Sequence, residues 1–273
     1  MADPLILSLE ESHDPRLVGG KAAGLAKLLT AGFVVPRGFC ITTALYRRCL
    51  EAAGLDVTEL WKKALGSSEA QRVQHRARIQ HLLLEQPWPA GFQTELDRWL
   101  TSLIDRPSIR WAVRSSATNE DAAEMSAAGL YRTALGLSPQ EVLRAIRDCW
   151  ISLWDEQVFR YLLRFGTEQA CPAMAVVIQP MLDAKIAGVV YSIHPVTGRT
   201  TQVAINAVPG LASSLVNGDV TPDQYVVEVG ESLRPVLVRR RLLAEKLRKV
   251  VMTAEGVQPE TIPTLERRQS SLS

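Results

Sequence analysis

Residues Trp111–Gly129 read WAVRSSATNEDAAEMSAAG. The stretch begins as a strand, with Trp111 and Val113 alternating with Ala112 and Arg114. It then becomes a run of small and polar residues through Asp121. A buried strand that delivers Arg114 into a loop with Ser115, Ser116 and Thr118 suits a phosphate chain. The hydroxyls and backbone N–H groups supply hydrogen bonds, and the guanidinium supplies a fixed charge and a fork. A polar turn after a core strand has the same composition, so both readings stand at this point.

Upstream, Gly19-Gly20-Lys21 opens a helix over Ala22 to Ala31, with Leu25, Leu28 and Leu29 as its apolar stripe and Gly32 as its stop. Glycines allow close backbone approach, a helix start offers N–H groups and a positive dipole end, and Lys21 adds a charge. The GxxxxGK[ST] spacing is missing, and Ala22 stands where a magnesium-holding hydroxyl would be, so this is not a Walker A loop. Leu5–Leu9 reads as an opening strand. Phe33 to Thr42 reads as a strand interrupted by Pro36-Arg37-Gly38, and Thr43 caps a second helix ending at Gly54. From Glu59 to Ile104 the spacing predicts two or three helices, the last carrying Phe92, Leu96, Trp99, Leu100 and Leu103.

Downstream, Tyr131–Leu137 reads as a strand returning antiparallel. Ser138-Pro139-Gln140-Glu141 is a capping box with proline at the first helical position, and its helix is predicted to run to Phe165. Met174–Met181 and Ile186–Ile193 read as two strands joined by a short hairpin connection, Leu182–Lys185. The edge of the first after Gln179, up to Met181, offers backbone groups to a purine ring, though the same residues make a plain core strand. Thr201–Ala207, Gln224–Val229 and Pro235–Arg239 complete the strands. Arg239–Arg241 is read as part of a strand-to-helix connection, and the polar end through Ser273 has no closing element. Hairpins mixed with helices point to an α+β fold rather than a regular βαβ winding.

The chain of 273 residues has a net charge of +2, so it carries no global field for nucleic acid or a membrane surface. Cys40, Cys49, Cys149 and Cys171 form no CxxC pair, and the four histidines are equally scattered; neither a metal site nor a disulfide framework is suggested. No apolar run approaches the ~20 residues that span a bilayer, and no signal-peptide pattern opens the chain. The expectation is a soluble, cytoplasmic protein.

Five segments in order carry a resemblance: VGGKAAGLAKLLTAGFVVPRGFCITTALY, WAVRSSATNEDAAEMSAAG, EVLRAIRDCWISLWDEQVFRY, AVVIQPMLDAKIAGVVYSIHPVTG and VNGDVTPDQYVV. Together they resemble the N-terminal ATP-binding domain of the phosphoenolpyruvate synthase, pyruvate phosphate dikinase and rifampicin phosphotransferase family. The resemblance implies an ATP-grasp-like fold with a helical insertion, binding ATP and Mg²⁺. It also implies phosphoryl transfer to a histidine on a separate swivelling domain, en route to phosphoenolpyruvate or another acceptor. Carried over, Lys21 and Arg114 match phosphate-contacting residues, Gly129 and Thr133 fall on the loop over the nucleotide, and Gln179 falls at the adenine-side hinge. The whole chain, 1–273, is then one such domain. It divides into a first lobe (1–58), a helical subdomain (59–107), a part with the Arg loop, long helix and adenine-side strands (108–198), and remaining sheet with a polar tail (199–273).

There are departures. The family's SFAGQ appears as Ser126-Ala127-Ala128-Gly129-Leu130, its DPxTG as His194-Pro195-Val196-Thr197-Gly198, and its GLGE as Gly210-Leu211-Ala212-Ser213. The family continues into a glutamate and a Gln-x-Arg motif on the magnesium side, and this sequence ends before them. The expectation is therefore an incomplete domain that binds ATP weakly and does not complete phosphoryl transfer alone. The alternative is a degenerate, non-catalytic nucleotide-binding or regulatory module.

Overall fold

The computed structural model describes residues 3–104, 109–119, 130–165, 171–230 and 235–272. The chain forms two compact units, Met1–Met181 and Leu182–Ser273.

The first unit runs β1 (Ile6–Ser8), α1 (Pro15–Thr30), β2 (Phe39–Ile41), α2 (Thr43–Ala52), α3 (Val57–Leu65), α4 (Glu69–Glu85), α5 (Phe92–Ser102), β3 (Trp111–Ala117), β4 (Thr133–Leu137), α6 (Pro139–Ser152), α7 (Glu156–Phe165) and β5 (Met174–Pro180). Its sheet has the order β1-β2-β5-β3-β4, with every neighbouring pair antiparallel. Alternation sorts the two faces. Trp111, Val113, Met174, Val176 and Ile178 join the main core with Tyr46, Ile146 and Trp150. Ala175 and Val177 meet α1 through Ala22 and Ala23. Covered on both faces, β5 is the buried centre of the sheet.

Several expectations need correcting. Helix α1 packs through Ala22, Ala23 and Ala26, with Leu25 and Leu29 of the expected stripe against the same cluster, whereas Leu28 is 43% exposed. Small side chains let the helix lie close to the sheet. The helix expected to run from Ser138 to Phe165 is two helices. The Ser152 hydroxyl donates to the Cys149 carbonyl (2.7 Å) and accepts from the Arg132 amide (3.2 Å), and α6 ends there. Asp155 and Glu156, just beyond, pair with Arg76 and Arg72 of α4. At its other end α6 opens as read: the Glu141 carboxylate accepts from the Ser138 amide and hydroxyl at 2.8 and 2.7 Å. The three helices α3–α5 share the main core through Trp61, Ile79, Leu83, Phe92 and Leu96.

The expected hairpin between Met174–Met181 and Ile186–Ile193 does not form. Both edges of β5 are taken by β2 and β3, and the next strand belongs to the second unit. That unit runs β6 (Ile186–Tyr191), β7 (Gln202–Pro209), α8 (Ser213–Val216), β8 (Asp223–Val229), β9 (Pro235–Leu242), β10 (Arg248–Thr253) and β11 (Gly256–Thr261). β6-β7-β8-β9 form an antiparallel sheet, and β10-β11 a separate hairpin. Arg239–Arg241 lie inside β9, where Arg239 meets Glu228 at 2.8 Å and no helix follows among the described residues.

The polar end is tied down rather than loose. Asp223, fully buried at the start of β8, accepts through one oxygen from the Ala244 amide (2.8 Å) and Lys246 Nζ (2.7 Å). Its other oxygen accepts from the Ser271 amide and hydroxyl, both at 2.7 Å. Lys246, 3% exposed, also donates to the Ala244 and Gln269 carbonyls. Sequence alone gave no sign of this knot, because its members lie up to 48 residues apart.

Candidate functional site

The site is built on strand β3 and the break in α1. At Gly19 the backbone takes φ 71° and ψ 174°, so α1 is two helical pieces joined at a kink. A side chain is impossible there: a Cβ on Gly19 would lie 2.0 Å from the Ser116 carbonyl oxygen. Lys21 follows in the second piece and is half-buried. Ser116 is wholly buried beneath the kink; its hydroxyl donates to the Val18 carbonyl (2.8 Å) and accepts from the Ala22 amide (3.1 Å).

Arg114 lies two residues earlier on β3, on the same face as Ser116. It stands opposite Thr133 of β4 and opposite Val177 of β5. Directly opposed residues share a face, so Thr133, which is exposed, lies beside Arg114. Gln179 is on that face too. Its Oε1 accepts from Arg114 Nη1 at 3.3 Å, and its Nε2 donates to the Pro36 carbonyl at 2.9 Å. The side chain therefore braces the guanidinium against the Pro36–Gly38 turn. That turn comes so close that a Cβ on Gly38 would stand 2.6 Å from Gln179 Cγ.

Lys21, Arg114, Thr133 and Gln179 thus belong to the α1 face of the sheet. The other sequence candidates lie elsewhere. Ser115 alternates to the opposite face; it is wholly buried, and its hydroxyl has no hydrogen-bond partner among the described residues. Thr118 sits past the end of β3, where its hydroxyl accepts from the Ala173 amide at 3.0 Å. The Met181 amide donates to the Arg110 carbonyl at 2.8 Å, so it is already committed within the fold. Gly129 lies outside the described residues.

Electrostatically, burial pushes the Cys149 thiol up to about 12, opposed by the positive charges of Arg132 and Lys21. Arg132 is 58% exposed at its side chain and only loosely paired with Asp148, at 3.8 Å. Among the described residues there is no group of three or more His, Cys, Asp or Glu placed to hold a metal ion, and no helix long and apolar enough to cross a membrane. His194 is folded into its own turn, its Nδ1 accepting from the Val196 and Thr197 amides at 3.3 Å each. A cavity of about 560 Å³ in the first unit is lined by Tyr46, Arg47, Asp56 and Cys171, and by none of the α1-face residues.

Sequence reasoning set Ser116 among the hydroxyls of a phosphate loop, whereas it lies inside β3 and its hydroxyl is spent on α1. The two-residue period of β3 carried the signal, since it sets Ser116 on the face of Arg114 and Ser115 on the other.

Comparison with known proteins gives a consistent result. The family described as pyruvate phosphate dikinase, AMP/ATP-binding domain, matches residues 15–273. A phosphoenolpyruvate synthase of Aeropyrum pernix is 34% identical over 232 residues, covering 82% of this chain and 28% of the relative. A rifampicin phosphotransferase of Streptomyces sviceus is 34% identical over 275 residues, covering 98% and 31%. A prodigiosin synthesizing transferase of Serratia marcescens is 34% identical over 223 residues, covering 81% and 23%. The chain spans about a third or less of the length of these curated relatives.

Proposed function

The chain belongs to the pyruvate phosphate dikinase AMP/ATP-binding domain family, and from that premise we propose that it is the ATP-holding part of a dikinase-type phosphotransferase with an ATP-grasp-like fold. Lys21 and Arg114 contact the phosphates, Thr133 adds a hydroxyl beside Arg114, and Gln179 fixes the guanidinium for them. The reaction is transfer of a phosphoryl group from ATP to a histidine on a separate domain, and from there to pyruvate, which becomes phosphoenolpyruvate, or to another acceptor. Relatives named for phosphoenolpyruvate, rifampicin and prodigiosin chemistry support an acceptor chosen outside this chain. The observation that carries the reading is the kink at Gly19, which holds the lysine-bearing turn directly against the strand that bears Arg114.

In phosphoryl transfer the protein mainly positions and neutralises, so two fixed cations on one face are the needed equipment. Magnesium would add charge on the phosphates, but the described residues offer it no acidic cluster. Lys21 and Arg114 bind and orient the phosphates.

Titration of the chain with ATP–Mg²⁺ up to millimolar concentration tests this. Lys21→Ala and Arg114→Ala each remove a charge-assisted contact of about 1.5–3 kcal/mol, a weakening of roughly 10- to 100-fold. If both variants bind as the parent does, the assignment is wrong. A second reading, a non-catalytic nucleotide-binding module, is favoured by Ser213, which stands where the family motif has its glutamate and buries a hydroxyl without a partner among the described residues. Binding that persists without any phosphoryl transfer to a supplied histidine domain of a relative would select it.

A further inference from the structure

The two bonds of the Ser116 hydroxyl have a particular meaning. Val18 and Ala22 are four residues apart, so in an unbroken α1 the Val18 carbonyl would accept from the Ala22 amide. Ser116 Oγ bonds to both, donating to the carbonyl at 2.8 Å and accepting from the amide at 3.1 Å. A side chain inserted into the helical ladder in this way accounts for a sharp kink. The kink falls at Gly19, whose positive φ and contact with the Ser116 carbonyl no other residue would tolerate.

We propose that Ser116 is a positioning residue for Lys21: its hydroxyl wedges open the 22-to-18 bond of α1 and so sets where the lysine turn stands relative to Arg114. Arg114 and Ser116 are two strand positions apart on one face, roughly 7 Å along β3. One strand therefore carries both the arginine and the anchor of the lysine, and the spacing of the two cations is built into its register. Burial of Ser116 at 0% exposure keeps water from replacing the hydroxyl. The Cys40 thiol also contacts the Val18 carbonyl, at 3.6 Å, but a thiol is a weak donor and leaves the Ala22 amide unserved. The inference rests on the reading of Lys21 as a phosphate contact, while the wedge itself does not.

The test therefore has two arms, using Ser116→Ala and the milder Ser116→Cys, which keeps the side-chain shape with a slightly larger atom and weakens both bonds. Trp fluorescence checks that each remains folded. In the first arm, without nucleotide, amide exchange at Ala22 is expected to rise about tenfold or more in Ser116→Ala. The rate of Lys21 acetylation by an N-hydroxysuccinimide ester, read by peptide mass spectrometry, is expected to change by about threefold or more, with Lys27 unaffected. Ser116→Cys falls between parent and Ser116→Ala. An unchanged Ala22 exchange, or an unchanged Lys21 rate in both variants, overturns the proposal. In the second arm, ATP–Mg²⁺ affinity is measured for Ser116→Ala, Lys21→Ala and the double variant. The double variant is expected to bind no more weakly than Lys21→Ala alone, because Ser116 acts through the lysine. Additive losses overturn the proposal. If Lys21→Ala itself leaves affinity unchanged, the functional assignment of Lys21 fails while the first arm still decides the wedge.

Discussion

Strands β5 and β6 are consecutive in the chain, uncharged and apolar, yet they end in opposite circumstances. In β5 every side chain from Met174 to Ile178 is wholly buried. In β6 Ile186 is 48% and Val190 63% exposed. The difference lies in what covers them. The first unit places α1 on one face of its sheet and the α2 and α6 helices on the other, and fills the space with Tyr46, Trp111 and Trp150. The buried apolar residues of the second unit's strands are mostly small, such as Ala204, Ala207 and Val208, and its interior holds the Asp223–Lys246–Ser271 knot. Apolar packing organises one unit, and a few polar bonds organise the other.

The largest expected effect breaks the knot. Asp223→Ala leaves Lys246 buried without its counter-ion and costs about 3–5 kcal/mol. All six tryptophans lie in the first unit, so Trp fluorescence should barely change. Limited proteolysis should instead show new cleavage between residues 182 and 272. Loss of the tryptophan signal together with the second unit would mean that the two do not depend on separate forces. The pH dependence has a definite sign. Burial alone would raise the Asp223 carboxyl, but the bonds from Lys246, Ser271 and Ala244 outweigh it and hold it below the usual range. A lowered folded value means the contribution is present above the unfolded value, about 3.9, and disappears as pH falls through the folded one. Proteolytic resistance of the second unit should therefore drop below about pH 4 in the parent. Asp223→Asn should remove that dependence.

Paired truncations sharpen the comparison further. Ile178→Ala, at a fully buried position, is expected to cost about 2–5 kcal/mol in urea unfolding followed by Trp fluorescence. Val190→Ala, at 63% exposure, should stay within about 0.5 kcal/mol by proteolysis of the second unit. Similar costs at the two sites would show that β6 is covered in solution.

The sequence made the first unit legible where local chemistry dominates. Ser138–Glu141 opened a helix as read, Thr133–Leu137 of the expected Tyr131–Leu137 strand returned antiparallel to β3, and Gly32 followed the end of α1. It misled where long-range bonds decide. α6 ends at Ser152, whose hydroxyl serves the Arg132 amide, a partner that helical periodicity cannot reveal. An apolar run reads as a strand, but nothing in β6 says that its neighbour is β7 and not β5. The candidate site was half legible for the same reason. Arg114 and Lys21 were visible as chemistry, whereas Ser116 acts only through residues 94 and 98 positions away.

An effect of opposite sign separates two adjacent serines of β3. Ser115 and Ser116 are equally buried and look alike in sequence, but only Ser116 has partners for its hydroxyl among the described residues. Burying a hydroxyl without a partner is costly, so replacing it by hydrogen removes a penalty and loses no bond. Ser115→Ala is therefore expected to be neutral or to stabilise the first unit by up to about 1 kcal/mol in urea unfolding, with ATP affinity unchanged. A loss of more than about 1 kcal/mol would mean that the hydroxyl is satisfied in solution. The apolar side of β3 would then be wetter than its packing suggests, and the contrast between an apolar first unit and a polar second one would narrow.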